Sequence, residues 1–156
     1  MAYPVLDIAD EVLRSAKAKG IPLTPLKLMK LVYMAYGWFW ANRDEPLFNE
    51  RIEAWKYGPV IPHLYHASKK FGRDVIPEDL ILDGVTTNDD IRGFIDKVVD
   101  EYGEMSGFSL SSLTHQPDTP WEKVCCEGVS DIEIPPTLIR DHYQKDLRDR
   151  RNLAAA

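Results

Sequence analysis

The stretch Thr24-Pro25-Leu26-Lys27-Leu28-Met29-Lys30-Leu31-Val32-Tyr33-Met34-Ala35-Tyr36-Gly37-Trp38-Phe39-Trp40-Ala41-Asn42 decides the fold. The Thr24 side chain can accept a hydrogen bond from a free amide of a first helical turn, and Pro25 gives up no donor that such a turn needs. Leu26, Met29, Tyr33, Tyr36 and Trp40 form one apolar stripe, and Leu28, Val32, Ala35 and Phe39 form another. Its only charges before the end, Lys27 and Lys30, lie near its start. A helix apolar on almost every side belongs in the middle of a fold, so this one is expected to run to about Asn42 as the spine of the molecule. Gly37 in its interior costs about 1 kcal/mol relative to Ala, which points to close packing of another backbone there.

Outward from this spine the pattern stays mostly helical. Upstream, Val5, Ile8, Ala9, Val12, Leu13 and Ala16 follow Pro4 at helical spacing, and Gly20 ends that helix. Downstream, Arg51 to Tyr57 alternates as a short strand, with Trp55 and Tyr57 on one side and Ile52 and Ala54 on the other. Gly58-Pro59 is expected to break it, and Leu47-Phe48 is its candidate partner across Asn49-Glu50, a hairpin short enough to need packing against the helices. Pro62 opens a helix through His63, Leu64, Tyr65, Ala67 and Phe71, stopped by Gly72. Residues 73–88 look like a loop with one candidate strand at Leu80 to Leu82. Ile91, Phe94, Ile95, Val98, Val99 and Tyr102 make the clearest amphipathic helix, with Thr87 or Asn88 as its cap. A short helix is expected around Leu110 to Leu113. Thr119-Pro120-Trp121-Glu122 has the form of a capping box that starts another through Cys125, and Pro135-Pro136 opens the last, with Leu138, Ile139, Tyr143 and Leu147 on one face. The fold class is therefore mostly α: a compact helical domain around a central apolar helix, with a small β-strand or hairpin insertion. Residues 1–151 are expected to form a single domain, and residues 152–156 a frayed tail.

Composition bounds the function. The chain has 156 residues, 44% of them hydrophobic, enough to fold alone as one unit. Its net charge of -6 opposes the phosphates of nucleic acids, so no nucleic-acid partner is expected. The apolar run Leu31 to Ala41 is too short to cross a bilayer, and no export leader precedes it, so a cytoplasmic location away from membranes is expected. Cys125 and Cys126 are neighbours; a bond between them is strained, and free thiols in a reducing compartment are expected.

No catalytic constellation emerges. His63 and His66 lie three apart on a helix, yet no third ligand stands at a zinc-site spacing. Thr114-His115 and Cys125 lack the base, orienting acid and oxyanion donors of a nucleophilic enzyme. The glycines never fall in a phosphate-binding spacing. No metal or other cofactor and no enzymatic activity are expected. The aromatics are more telling: Tyr33, Tyr36, Trp38, Phe39, Trp40, Trp55, Tyr57, Tyr65 and Trp121 are many for a small domain. Most should be core, and any left exposed mark a contact surface.

Three blocks in order carry a family resemblance. They are Leu26 to Tyr33 with Gly37-Trp38, then Glu53-Ala54-Trp55-Lys56-Tyr57-Gly58-Pro59-Val60-Ile61-Pro62 with Leu64-Tyr65, and finally Leu110 to Trp121 with His115. Together, over roughly residues 5–125, they resemble the Panacea domain, also called the SocA-like antitoxin or phage-associated protein family. The resemblance implies an antitoxin that binds a cognate protein toxin directly and silences it. Toxins paired with the family include small alarmone synthetases and other attackers of translation, and one family member instead delivers its toxin to a ClpXP-type protease. The residues it brings over are Lys30, Tyr33, Trp38, Trp55, Tyr57, Gly58, Pro59, Pro62, Tyr65, His115 and Trp121, as fixings of the fold and candidate toxin contacts without catalytic assignment. Partner choice is expected to rest on residues 73–88 and on the tail after Pro135. The alternatives are a protease adaptor and, from another class, a small metal- or cysteine-dependent enzyme.

Overall fold

The computed structural model describes residues 2–125 and 132–155. α2 (Pro25–Arg43) is the spine: the Thr24 hydroxyl accepts from the Lys27 amide at 3.3 Å, every residue from Leu28 to Phe39 is buried, and the helix stops at Asp44 in the left-handed region. Around it lie α1 (Val5–Ala18), α3 (Pro62–Ser68), α4 (Asp89–Tyr102), α5 (Gly107–Thr114) and α7 (Pro136–Ala155). A short α6 (Pro120–Val124) packs against α7, and a single 3₁₀ turn, Lys69–Phe71, extends α3 up to Gly72. The architecture is mostly α with one small sheet, as the periodicity predicts.

Local chemistry accounts for the ends of the helices. Asn88, not Thr87, caps α4, its Oδ1 accepting from the Ile91 amide at 2.9 Å; Thr87 is drawn off to the Glu11 carboxylate. Ser106 caps α5 through the Ser109 amide, and Thr119 caps α6 through the Glu122 amide. Gly37 is crowded by a side chain and not by a backbone: a Cβ there would overlap the ring of Tyr143 on α7. A flat aromatic face meeting a residue with no side chain gives the same close approach that a second backbone would, and it fills the space.

The sheet departs from expectation. Its order is β2-β1-β3, all antiparallel, where β1 is Glu53–Trp55, β2 is Gly58–Val60 and β3 is Ile132–Glu133. Gly58-Pro59 does not end the pairing but continues it, with Ala54 opposite Pro59 and Trp55 opposite Gly58. Pro59 is tolerated because β2 is an edge strand, where a missing N–H need not break a ladder. Leu47 and Phe48 form no strand; both are fully buried, and the Leu47 carbonyl accepts from the Tyr3 amide. Nor is Leu80 to Leu82 a strand, because the Leu82 amide is spent on the Asp10 carboxylate at 2.7 Å. Beyond α6 the chain turns extended at Cys125, whose sulfur lies 3.9 Å from the Trp55 carbonyl oxygen. Cys125 is disulfide-bonded, which corrects the expectation of a free thiol there; the bond stands where α6 has ended and the backbone is extended. The expectation for Cys126 lies outside the described residues. Among the described residues no helix is long and apolar enough to cross a membrane.

Candidate functional site

Lys30 organises the site. It sits on the second turn of α2, only 1% exposed, and its Nζ donates to the carbonyls of Tyr57 at 3.2 Å and Pro59 at 3.0 Å. Burial pushes its ammonium down to about 7, and among the described residues its hydrogen-bond partners are these backbone carbonyls, with no carboxylate beside them. Gly58 lies between those carbonyls with φ +117°, a conformation that favours glycine, and a Cβ there would stand 2.6 Å from Nζ. The β1–β2 turn thus wraps its backbone around a buried cation.

α5 and α6 brace the same turn from the other side. Ser111 Oγ donates to the Tyr57 carbonyl at 2.9 Å, so that one oxygen takes two hydrogen bonds. Trp121 Nε1 donates to the Trp55 carbonyl at 2.6 Å. His115, at the C-terminal end of α5, meets the Trp121 ring edge-on with centroids 4.2 Å apart; burial, and then the charge of Lys30, lower its pKa. With its backbone held inward, the turn sends its side chains outward. Tyr57 is 69% exposed, and Trp55 stands half-buried and edge-on to Tyr65 at 4.9 Å. A large aromatic on a fixed backbone needs little ordering when a partner covers it.

Most of the residues singled out in the three sequence blocks therefore meet around one hairpin: Lys30, Trp55, Tyr57, Gly58, Pro59, Tyr65, His115 and Trp121, with Pro62 at the first position of α3. Tyr33 and Trp38 do not. Both face α7, where each is edge-on to Tyr143, and Trp38 also donates from Nε1 to the Tyr102 hydroxyl at 2.9 Å and lies under the Arg150 guanidinium. Trp38 borders an open groove of about 770 Å³ between α5, α6 and α7, lined by as many acidic as basic side chains. Ser111 was not singled out from the sequence, although its spacing of three and four from Thr114 and His115 puts it on their helix face. Residues 73–88 are tethered to α1: Asp10 accepts from the amides of Leu82, Asp83 and Gly84, and Glu11 accepts from Thr87. Among the described residues no three His, Cys, Asp or Glu side chains are placed to hold a metal ion.

A family model described as "Antitoxin SocA-like, Panacea domain" matches residues 28–122, which holds all three blocks apart from the start of the first. The chain is similar to Antitoxin SocA of Caulobacter vibrioides (strain NA1000 / CB15N): 32% identical over 127 residues, covering 75% of this chain and 68% of that relative. No solved structure matches significantly.

Proposed function

The chain belongs to the SocA-like antitoxin, Panacea-domain family, and from that membership we propose that it is the antitoxin of a toxin–antitoxin pair, neutralising a cognate protein toxin by direct contact and without catalysis of its own. The observation that carries direct contact is the hairpin. Tyr57 is exposed, yet the backbone beneath it is held by Lys30 and Ser111. That combination suits an anchor at a protein interface, where preformed aromatic side chains supply much of the binding energy. Lys30, Gly58, Pro59, His115 and Trp121 then serve as its frame, and Trp55, Tyr57 and Tyr65 as contacts. A net charge of -6 suits a partner that handles RNA or the ribosome, because basic surface on such a toxin would be drawn to this chain.

Growth rescue tests the reading. The small protein encoded beside this chain is expressed alone and then together with it, followed by pull-down from the rescued cells. Arrest relieved by co-expression, with stable toxin recovered on the chain, is the expected result. Rescue in which the toxin vanishes in a protease-dependent way would establish delivery to a protease instead, and the absence of arrest or rescue would remove the antitoxin reading.

A further inference from the structure

Charge is unevenly distributed along this chain. Residues 54–73 contain Lys56, Lys69, Lys70 and Arg73 but none of the 25 Asp and Glu, which leaves all the acids and 15 of the 19 Lys and Arg to the rest. All four cations are exposed, as are His63 and His66. Among the described residues none of the four makes an ion pair, whereas Arg14, Lys19, Arg43, Arg51 and Arg150 elsewhere all do.

The fold joins the two halves of this segment, the β1–β2 turn and α3, through one ring contact. The β1–β2 turn carries Lys56, whose Nζ stands 5.5 Å from the centre of the Tyr57 ring. The Trp55–Tyr65 ring contact joins the turn to α3. Along α3 and the turn that extends it, Tyr65 and Lys69, and His66 and Lys70, are each one helical turn apart, while Leu64 and Ser68 occupy the buried side. Of the two acids that border the segment in sequence, Asp74 follows Arg73, and Glu53 is already neutralised: Arg51 holds it at 2.7 Å and Trp55 Nε1 at 2.9 Å. Toward the other flank the surface becomes apolar. Leu26, 41% exposed, lies one turn before Lys30, and Phe108, 79% exposed, lies one turn before Ser111, the two residues that grip the Tyr57 carbonyl.

We propose that this cationic, aromatic face is the docking surface for a carboxylate-bearing surface of a protein partner, with Tyr57 as its anchor; resting on the reading above, that partner is the toxin. The apolar flank favours a protein over a nucleic acid, because cations that follow a phosphate backbone would leave Leu26 and Phe108 with nothing to cover them. The two signs of charge answer one kind of target. An enzyme acting on phosphorylated or nucleic-acid substrates has basic surface for phosphate and carboxylates for a metal ion or general base. An inhibitor of such an enzyme gains by offering acid to the first and a cationic finger to the second.

Two probes read the face without the toxin: a fluorescein-labelled Glu-rich peptide and a labelled single-stranded RNA of the same net charge, titrated at low salt. The peptide should bind, and the double substitution Lys69→Glu with Lys70→Glu should weaken it about tenfold or more. Tyr57→Ala should weaken it severalfold. A control pair on α1 and α4, Lys17→Glu with Lys97→Glu, makes the same change in net charge and should leave affinity within about twofold. No peptide binding, equal loss in both double variants, or tighter binding of the RNA would each overturn the proposal. In growth rescue, protection should fail with the face variant and survive with the control; full protection by the face variant would show that the toxin docks elsewhere. If the unaltered chain itself gives no rescue, the antitoxin reading falls, and the peptide titration still decides the face.

Discussion

Two irregular segments of this molecule are held by buried or half-buried charge of opposite sign. At one end Lys30 draws in the carbonyls of the β1–β2 turn; at the other, Asp10 and Glu11 on α1 draw in the amides of residues 82–87. In both, a charge on a helix takes the place of a regular backbone partner, and backbone dipoles offset part of the desolvation cost. The surroundings differ. Glu11 has the Arg14 guanidinium and the Thr87 hydroxyl beside it, and although burial opposes them its pKa is lowered. Lys30 has, among the described residues, carbonyls as its hydrogen-bond partners, and burial lowers its pKa to about 7. Asp7, next to the acidic latch, has the worst surroundings: burial first, then Asp83, Asp10 and Glu50, raise its carboxyl to about 6, and its Oδ1 has no hydrogen-bond partner among the described residues. Opposite charge and amide donors make a latch; like charge makes a weak point.

The largest expected effect comes from opening the cationic latch. Lys30→Ala leaves a cavity and an unsatisfied Pro59 carbonyl, and should cost about 2–4 kcal/mol in chemical denaturation. Its pH signature has a definite sign. Lys30 holds its proton less tightly folded, near 7, than unfolded, near 10.5, so across that window the unfolded state binds more protons and stability rises with pH. The unaltered chain should therefore gain on Lys30→Met between pH 7 and 9, by at most about 1.4 kcal/mol per pH unit. A flat difference would mean that the ammonium is not desolvated.

Opening the acidic latch should cost less, because its carboxylate is only half-buried. Asp10→Ala removes three charge-assisted hydrogen bonds and should lower stability by roughly 1–3 kcal/mol, with faster hydrogen exchange at the Leu82, Asp83 and Gly84 amides. Slow exchange there after the substitution would show that the loop is held by something else. The smallest effect has the opposite sign. Folded Asp7 keeps its proton up to about pH 6 where the unfolded chain loses it near 3.8, so stability falls as pH rises between these values and stays lower above them. Asp7→Asn should thus be roughly 1–2 kcal/mol more stable than the unaltered chain at pH 8, and no more stable at pH 4.

How legible these regions are in the sequence follows from the range of the forces that build them. α1, α2, α4 and α7 declare themselves through periodicity and caps, which act within a few residues of chain. The sheet does not, because β1 takes one partner from the next few residues and the other, Ile132, from 78 positions further on, and strands this short carry almost no pattern of their own. The site was half legible. Lys30, Tyr57, Gly58, His115 and Trp121 all stand in the quoted blocks, but nothing in the one-dimensional pattern separates them from Tyr33 and Trp38, which turn toward α7 instead.

By itself, then, the sequence determined a helical domain built on one apolar spine, a family, and the residue types gathered in its motifs, because helix periodicity, capping and composition are local properties. Only the tertiary structure decided that Lys30 is a buried latch and not a solvated charge, that the paired strands are β2-β1-β3, and that the turn bearing Lys56 and Tyr57 is joined to α3 through the Trp55–Tyr65 ring contact. Burial, strand pairing and the sign of the local field are set by what the rest of the chain brings alongside.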